Sequence, residues 1–448
     1  MELSVDSIAQ GGAGVARREG YVVFVEGGFP GDRVLAEVTK AKRDYGNARA
    51  VEVIEPSADR VPQRCDHEGD ECPGSPWQAL DYQRQLEYKH GLVAEALQRI
   101  GGLEGFELEP IMPAENPWRY RNKMEYSFGT ADDGALALGF HVRRRWDLIR
   151  NARDCWLASE RSNALRNGVR EWCDGEGLSA YDRRESAGLL RNLVVREGTA
   201  TGEMQVRIVT SPGEFRTDQL CAAIGRLEPE AGIAWTQAGD VGETTQRGTT
   251  THLAGPKQLT DEVGGLRFRI SPEAFFQTNT RMAERLYSIA TDYAALDGRE
   301  RVYDLYCGIG TLSLSLSLGA GEVWAVDVVE QAVADAIVNA RLNEIENTHF
   351  FCGDVRDSVR PLAEQAPHPD VVVVDPPRAG LSKKVVRRLL ETAPKRIVYV
   401  SCNPTTLAPN ARQLVDAGYR LAKVRPVDMF PHTPHIECVA ALERESAG

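Results

Sequence analysis

The chain lacks the features that mark membrane and secreted proteins. In its 448 residues, no apolar run approaches the roughly 20 residues that a helix needs to cross a bilayer. The first residues, MELSVDSIAQGG, lack the basic segment and following apolar stretch of a secretory signal peptide. The nine cysteines are odd in number and so do not suggest a disulfide framework. These absences predict a cytoplasmic protein whose thiols are free for packing, metal binding or catalysis.

An excess of positive charge is also missing. The 53 lysines and arginines are outnumbered by 65 aspartates and glutamates, which gives a net charge of −12. A basic field over the whole protein is therefore excluded, and any contact with nucleic acid must come from local patches. Fixed-period repeats are absent as well. The hydrophobic share of 42% is that of a globular protein, and the length predicts two or three domains.

Three regions of different texture follow one another. Residues 1–56, with segments such as YVVFVEG and DRVLAEVTKA, alternate apolar and polar residues between turn residues, which predicts a small OB-like β-barrel. Residues 57–255 mix strand-like pieces with a helical stretch, WQALDYQRQLEYKHGLVAEALQRIGG, and predict an α+β domain. The tract TQAGDVGETTQRGTT in this region predicts an exposed hairpin or loop. In residues 256–448, apolar strands alternate with amphipathic helices, which predicts a parallel α/β sheet of Rossmann-like type.

Ligands of such sheets bind at the carboxyl ends of the strands, and reactive groups stand there. VYVSCNP carries Cys402 at the end of an apolar strand, where a cysteine is either a small packed hydrophobe or a reactive thiol. DLYCGIGTLSL is a strand, a glycine turn and a helix, but Ser313 replaces the third glycine of a dinucleotide fingerprint. Asp327 ends the next strand and suits either ribose hydroxyls or a helix cap. This pattern favours an adenosine-type ligand such as S-adenosylmethionine over NAD.

Carboxylates also follow the later strands. Asp354 in FFCGDV is a candidate for contact with an adenine amino group, or a turn residue. Asp375 precedes Pro376 and Pro377, which make a rigid exit from the buried run VVVV. Glu437 stands in the apolar segment HIECVAAL, where burial raises a carboxyl pKa toward that of a general base. A glutamate on an edge strand facing water is the alternative.

Five motifs in sequence resemble those of the RNA uracil-C5 methyltransferases: FFQTN, DLYCGIGTLSL, DPPRAG, SCNP and HIECV. The resemblance covers essentially the whole chain, and the first region is similar to the TRAM domain, an OB-like RNA-binding module. It implies a C-terminal class I methyltransferase domain that uses S-adenosylmethionine, with Cys402 attacking C6 of uracil and Glu437 removing the C5 proton. The family positions around the cofactor fall on Gln277, Tyr306, Thr311, Asp327, Asp354 and Asp375. Asp375 is also a candidate for contact with the target base.

The resemblance also implies an RNA partner and, in many relatives, a 4Fe–4S cluster bound by four cysteines. Cys65, Cys72 and Cys155 match three of those positions, but Ser75 stands where the third thiol belongs. The sequence leaves open whether a cluster is bound, and we assign no metal ligand. PWRYRNKMEYSF and HVRRRWDLIRNAR interleave basic and aromatic residues, which suits either RNA contact or a solvated charged face.

The TRAM-like module favours 23S ribosomal RNA over transfer RNA as the substrate, and we expect a monomer. Three other functions compete with this one. A non-catalytic RNA-binding protein or chaperone would be expected to lack Cys402 or Glu437, and both are present. An iron–sulfur redox protein would use the three cysteines above. A DNA cytosine methyltransferase is disfavoured because its thiol follows a proline, whereas Cys402 follows Ser401.

Overall fold

The computed structural model describes residues 1–65, 72–131, 133–143, 145–239, 245 and 247–445. The chain forms two compact units, and their bounds are Met1–Pro117, Asp292–Ala294 and His368–Gly448 for the first, and Trp118–Thr291 and Ala295–Pro367 for the second. The predicted domain boundaries after residues 56 and 255 stay predictions. Within the described part of the chain, no helix has both the length and the apolar character that a membrane crossing requires.

The first unit opens with a closed five-stranded barrel, which confirms the fold predicted for this region. Its strands are β1 (Glu2–Ile8), β2 (Gly14–Arg18), β3 (Tyr21–Glu26), β4 (Arg33–Ala41) and β5 (Tyr45–Glu55). Their order is β1-β2-β3-β5-β4, and β1 pairs with β4 to close the barrel. Since alternate residues of a strand face opposite sides, Leu3 and Val5 of β1 point into the core with Val25 and Val34.

A buried carboxylate ties the barrel to the segment that follows it. Asp32, just before β4, accepts the N–H groups of Phe29 at 2.6 Å and Ser57 at 2.9 Å. Each of its oxygens also accepts a hydrogen bond from the Arg60 guanidinium at 2.8 Å. Because a buried carboxylate is costly without partners, this network holds the loop before β4 against the chain after β5.

Helix α1 (Tyr82–Glu95) follows and continues into a π-helical turn (Ala96–Ile100). The carboxylate of Asp81 accepts the N–H groups of Gln83 and Arg84, so this N-cap sets the helix start within the predicted helical stretch. The helical segment ends at Ile100, with Gly101 as its C-cap residue. A short strand, β6 (Glu107–Leu108), completes this part of the first unit.

The second unit begins with a mixed sheet and two helices. Its elements are β7 (Lys123–Thr130), β8 (Leu136–Val142), β9 (Arg145–Asn151), α2 (Glu160–Gly175), β10 (Leu190–Glu197), β11 (Met204–Thr210), α3 (Thr217–Leu227), β12 (Gly232–Gln237) and β13 (Thr249–Ala254). The strand order is β13-β12-β11-β10-β7-β8-β9. β12 pairs antiparallel with β13, as a hairpin requires, although residues 240–244 and 246 of the predicted hairpin tract lie outside the described residues.

The chain continues with a hairpin and then alternating strands and helices, which belong to the second unit except for Asp292–Ala294 at the end of α4. These elements are β14 (Leu259–Val263), β15 (Leu266–Ile270), α4 (Thr280–Ala294), β16 (Arg301–Leu305), α5 (Thr311–Ser317), β17 (Glu322–Asp327), α6 (Glu330–Leu342), β18 (Thr348–Cys352) and α7 (Val355–Gln365). Strands β16, β17 and β18 are parallel and lie in the order β18-β17-β16. Their carboxyl ends therefore lie at one edge, as the alternating sequence pattern predicts.

The first unit resumes with the end of the chain. Its remaining elements are β19 (Val371–Val374), α8 (Lys383–Thr392), β20 (Arg396–Ser401), α9 (Pro404–Asp416), β21 (Tyr419–Val427) and β22 (Glu437–Arg444). The order is β19-β20-β22-β21-β6. β19 and β20 are parallel, but β22 is antiparallel to both of its neighbours. β21 and β22 depart from the predicted parallel arrangement, because they are joined without the crossover helix that parallel strands need.

We expect Asp32→Asn to destabilise the barrel, because the amide cannot pair with Arg60 and breaking a buried ion pair costs about 3–5 kcal/mol. Urea unfolding followed by tryptophan fluorescence measures the change. The control is Asp6→Asn, which removes an exposed pair with Arg17 at 3.7 Å and should change the free energy of unfolding by less than about 1 kcal/mol. Equal effects of the two substitutions would contradict this role for Asp32.

Candidate active site

Cys402 lies on the turn between β20 and α9. The Ser401 hydroxyl donates to the carbonyl of Asn403 at 3.1 Å and accepts its N–H at 3.2 Å. Asn403 then caps α9 by accepting the N–H of Thr405, and Pro404 occupies the first helical position, where no N–H is needed. SCNP thus folds as a strand, a tight turn and a helix, and it leaves the Cys402 thiol only half-buried.

Strand β22 brings a carboxyl group to the same place. β20 and β22 are antiparallel with Ser401 opposite Cys438, so continuing the register by one residue sets Glu437 opposite Cys402. Residues directly opposite each other have Cβ atoms about 4.5–5.5 Å apart on one face of the sheet. Because β22 is antiparallel, its first residue lies at the carboxyl end of β20. Glu437 is only 4% exposed, so it does not face water.

The DPPRAG segment adds charges beside this pair. Asp375 directly follows β19, the parallel neighbour of β20. The carbonyl of Arg378 accepts hydrogen bonds from Asn403 Nδ2 and Thr406 Oγ1, both at 3.3 Å, so α9 fixes the segment. The Arg378 guanidinium donates to Nδ1 of His435 at 3.0 Å. The thiol, two carboxylates and one guanidinium therefore belong to the same end of the first unit.

Burial and neighbouring charge raise the pKa of both reactive groups. The pKa of Cys402 is raised to about 11, first by burial and then by the negative charges of Glu437 and Asp375, while Arg378 opposes the shift. Burial also raises the pKa of Glu437 well above its ordinary value, with Asp375 adding to the effect and Arg378 again opposing it. The cluster thus disfavours negative charge on the thiol and on the carboxyl at the same time.

In the second unit, the loop after β16 has the geometry of a ligand cradle. Tyr306, Gly308 and Gly310 have φ angles of +79°, +54° and +86°, in the left-handed region. The space beside Gly308 is open, whereas a Cβ at Gly310 would lie 3.1 Å from the side chain of Ala336 in α6. Gly310 therefore lets the loop lie close to α6, and Gly308 leaves the loop backbone accessible.

Asp327 holds this loop from the end of β17. One carboxylate oxygen accepts the N–H of Gly308 and the other accepts the N–H of Val329, both at 2.9 Å. A carboxylate has about four acceptor sites, so two of them stay available to a ligand. Asp327 is partly exposed, and its remaining capacity fits the two ribose hydroxyls of S-adenosylmethionine.

Two further predicted cofactor residues lie in the same unit. Gln277 is buried in the segment before α4, and its carbonyl accepts a hydrogen bond from Asn122 Nδ2 at 2.8 Å. Thr311 begins α5, and its hydroxyl donates to the Tyr287 hydroxyl at 3.2 Å. Sequence patterns did not single out Phe275, which is 72% exposed two residues before Gln277 and presents an aromatic face to solvent.

Two aspartates of this unit have roles that the sequence motifs did not indicate. Asp354 caps α7 by accepting the N–H of Arg356 at 2.9 Å and also forms an ion pair with its guanidinium, so its carboxylate is already engaged locally. Asp304 was not among the predicted residues. It is buried, accepts a hydrogen bond from the Ser313 hydroxyl at 2.5 Å, and burial raises its pKa to about 7. An acidic residue within a strand of buried residues is the signal that identifies such a group.

The cysteines that match cluster positions are buried as well. Ser75 donates a hydrogen bond to the sulfur of Cys72 at 3.6 Å, and Cys65 lies nearby in sequence, whereas Cys155 belongs to the second unit. Residues 66–71 between the first two thiols lie outside the described residues. Among the residues that are described, no three His, Cys, Asp or Glu side chains are placed to hold a metal ion. With Ser75 at the third position, the matching residues supply one thiolate fewer than the four that such a cluster normally takes, and we assign no chemical step to one.

The two basic and aromatic segments differ in exposure. In the first, Tyr120 and Tyr126 are buried, so this stretch is largely part of the sheet core. In the second, Trp146 is 52% exposed and the Arg184 guanidinium lies 5.2 Å from its ring centroid. Arg144 of the same segment lies outside the described residues. RNA contact by these segments stays a prediction.

Comparison with known proteins identifies the family of the chain. A family model described as tRNA (Uracil-5-)-methyltransferase matches residues 258–445, and a model of the TRAM domain matches residues 1–51. A protein described as an uncharacterized RNA methyltransferase from Halalkalibacterium halodurans is 37% identical over 445 residues, which are 99% of this chain and 96% of the relative. Another with the same description, from Bacteroides thetaiotaomicron, is 38% identical over 455 residues and covers 97% of this chain and 100% of the relative. The chain belongs to the RNA uracil-5 methyltransferase family.

A solved structure is similar over the whole length. It is the crystal structure of Pyrococcus abyssi tRNA (uracil-54, C5)-methyltransferase in complex with S-adenosyl-L-homocysteine, which has a TM-score of 0.81 and 28% identity and covers 99% of this chain and 100% of that chain. The comparisons confirm the predicted multidomain fold with its N-terminal TRAM barrel, the assignment as an RNA methyltransferase, and S-adenosylmethionine as its methyl donor.

We expect Cys402 to react slowly with iodoacetamide at neutral pH and faster as the pH rises toward 11, because only the thiolate reacts. Arg378→Gln removes a positive charge, raises the pKa of the thiol and should slow the reaction about threefold or more. Glu437→Gln removes a negative charge and should accelerate it by a similar factor. Peptide mass spectrometry between about pH 6 and pH 10 measures the rates, with the exposed Cys352 as reference. Faster labelling in Arg378→Gln would contradict the account.

Proposed function

We propose that the enzyme methylates C5 of a uridine in RNA through a covalent bond between Cys402 and C6 of the base. The observation that carries this proposal is the buried Glu437, which lies one residue beyond the Ser401–Cys438 pair and close enough to Cys402 for its charge to raise the pKa of the thiol. C5 of uracil is a poor nucleophile, and addition of a thiolate at C6 moves electron density onto it. Replacement of hydrogen by methyl then needs a proton acceptor close to the same pyrimidine, and Glu437 is such a group.

The proposed reaction runs through a covalent bond between protein and RNA. The Cys402 thiol loses its proton to water, its sulfur bonds to C6, and the electron pair of the C5–C6 double bond moves toward C5 and O4. C5 then takes the methyl group that S-adenosylmethionine, when bound, supplies from its sulfonium, and S-adenosylhomocysteine is left. Glu437 accepts the proton from C5, the double bond re-forms, and the sulfur leaves C6 as a thiolate. The base has then gained a methyl group and lost one proton, and the sulfur is regenerated.

The electrostatics of the cluster order these steps. Negative charge on Glu437 raises the pKa of Cys402, so the thiol and the carboxyl group lose their protons one after the other rather than together. Once sulfur is bonded to carbon, its charge has passed to the pyrimidine, and methylation cancels it. The repulsion of an ionised carboxyl is then relieved, and the raised pKa of Glu437 makes it a strong proton acceptor at the stage where one is required. The positive charge of Arg378 moderates both shifts.

The methyl donor is proposed to bind at the carboxyl ends of β16 and β17, with Asp327 holding the ribose hydroxyls and the loop at Gly308 close to the ligand. The other family positions, which stay proposed contacts, are Gln277, Tyr306, Thr311, Asp354 and Asp375. The carboxylate of Asp354 already pairs with Arg356, which reduces its capacity to bind the cofactor. The pKa of Tyr306 is raised to about 12 by burial, so its hydroxyl stays protonated and can donate a hydrogen bond.

We propose 23S ribosomal RNA as the substrate, on the strength of the N-terminal barrel that matches the TRAM domain. Transfer RNA is the second candidate, because the similar protein from Pyrococcus abyssi is a tRNA (uracil-54, C5)-methyltransferase and the matching family description names tRNA. In either case the uridine must leave its stack to meet the thiol, which loops and bulges of RNA allow at low cost. A monomeric state and a cytoplasmic location stay predictions.

The test incubates the protein and S-adenosylmethionine labelled in its methyl group with 23S ribosomal RNA, and separately with transfer RNA, each from a strain that lacks the enzyme. We expect label at C5 of one uridine in the ribosomal RNA. Cys402→Ala should reduce labelling to background, because the proposed mechanism needs its sulfur to add to C6 and activate C5. Cys221→Ala, which removes a thiol of α3, is the control and should keep wild-type labelling.

Each outcome of this experiment has a distinct meaning. Label found only in transfer RNA would overturn the ribosomal assignment and leave the chemistry intact. Label at a position other than C5 of uridine would overturn the proposed reaction. Labelling by Cys402→Ala at the wild-type rate would overturn the covalent mechanism.

A further inference from the structure

The segment between β21 and β22 is largely buried although it has no regular structure. We call residues 428–436 the base loop, because this segment leads directly to Glu437, the proposed general base. Asp428, Met429, His432 and Thr433 of this loop are all buried. Connecting segments normally lie at the surface, since buried backbone groups must find hydrogen-bond partners within the protein. The base loop finds many of its partners on helix α1, far away in sequence.

One face of helix α1 supplies these partners. Tyr82, Gln85 and Lys89 are spaced by three and four residues and therefore line the same face. The Lys89 ammonium donates to one carboxylate oxygen of Asp428 at 2.5 Å and to the carbonyl of Phe430 at 3.0 Å. The Tyr82 hydroxyl donates to the other oxygen of Asp428 at 2.8 Å. Both members of the Lys89–Asp428 ion pair are fully buried, so removing either leaves an uncompensated charge.

Gln85 holds a strained residue of the base loop. His432 has a φ angle of +63°, a conformation that a residue with a side chain adopts only when its surroundings impose it. Gln85 Oε1 accepts the N–H of His432 at 2.9 Å, and Gln85 Nε2 donates to His432 Nδ1 at 3.1 Å. The N–H of Trp77 donates to the carbonyl of His432 at 2.9 Å. Burial lowers the pKa of His432 to about 3, so the ring stays neutral at working pH.

The barrel contacts the same loop through Gly12, in the turn between β1 and β2. A Cβ placed on Gly12 would lie 2.5 Å from Cβ of Pro434, so the glycine backbone packs directly on the base loop. Trp77 Nε1 donates to the carbonyl of Gly12 at 3.2 Å. Gln10 of the same turn donates to the carbonyl of Leu92 in α1 at 2.7 Å. Barrel turn, helix and base loop therefore form one hydrogen-bonded assembly.

We propose that the barrel turn at Gly12 and helix α1 clamp the base loop and thereby position Glu437 for removal of the C5 proton. The inference rests on the proposed function and gives the N-terminal barrel a role in proton transfer besides RNA binding. Gly12, Gln85 and Lys89 are positioning residues, since each acts on the base loop rather than on the reacting atoms.

The clamp predicts a kinetic effect on one step only. Glu437 is needed after methyl transfer, when the covalent adduct must break down. A displacement of about 1 Å in a catalytic group can lower a rate by about 100-fold. Loosening the clamp should therefore slow release of methylated RNA while the adduct still forms at its normal rate.

A matched pair of substitutions tests this. Gly12→Ala and Gly11→Ala place a side chain at φ angles of +93° and +90°, so the backbone strain is nearly equal. Only the side chain at position 12 meets Pro434, because nothing lies within 4 Å of a Cβ at position 11. In single-turnover reactions with labelled methyl donor, we expect Gly12→Ala to release methylated RNA about 10-fold to 100-fold more slowly and to accumulate a protein–RNA adduct that survives denaturing gels. Gly11→Ala should behave as the wild type.

Gln85→Leu is a second variant that acts on the loop from α1 and keeps the barrel unchanged. It should accumulate the same adduct, with a smaller shift in melting temperature than loss of the Lys89–Asp428 pair would cause. Adduct formation and adduct breakdown that fall in parallel in Gly12→Ala and Gln85→Leu, or that are unchanged in both, would overturn the clamp. Failure of the proposed function looks different, since the wild type and Glu437→Gln would then form no adduct at all.

Discussion

The antiparallel register between β20 and β22 is the constraint on which the candidate active site depends. It sets Ser401 opposite Cys438 and therefore Glu437 opposite Cys402. A slip of one residue would turn every side chain of β22 to the other face of the sheet, and the buried run from Cys438 to Leu442 makes that slip costly. Packing of apolar residues thus fixes the register that brings Glu437 toward Cys402.

The same burial determines the chemistry of the pair. A carboxyl group and a thiol at the edge of an apolar sheet both have raised pKa values, and each resists ionisation while the other is charged. In the proposed mechanism, the negative charge therefore lies first on sulfur and later on the carboxyl. Residues distant in sequence hold the segment before Glu437. Lys89 and Gln85, on the helix that follows the N-terminal barrel, bind Asp428 and His432 respectively. In the proposed clamp, stability of the barrel and function of the active site are linked through these contacts.

Much of this could be predicted from the sequence because it is encoded locally. Alternating apolar residues predict the barrel strands, and the abrupt end of VYVSCNP places Cys402 at a strand terminus. The direction of β22 could not be predicted in this way, since the pattern of HIECVAAL is the same for parallel and antiparallel pairing. Arg378 and the Lys89–Asp428 pair act over long separations in sequence, which no local pattern encodes. Asp354 shows the converse, because a local helix cap already engages the carboxylate that the family resemblance assigns to the cofactor.

The most direct test of the central claim measures hydrogen loss at C5. RNA containing uridine tritiated at C5 is methylated in a single turnover, and tritium released to water is compared with methyl groups transferred. The account predicts one tritium released per methyl group in the wild type, and methyl transfer with tritium retained on the adduct in Glu437→Gln. Tritium release by Glu437→Gln at the wild-type rate would show that another group removes the proton, and it would contradict the role assigned to the carboxyl opposite Cys402.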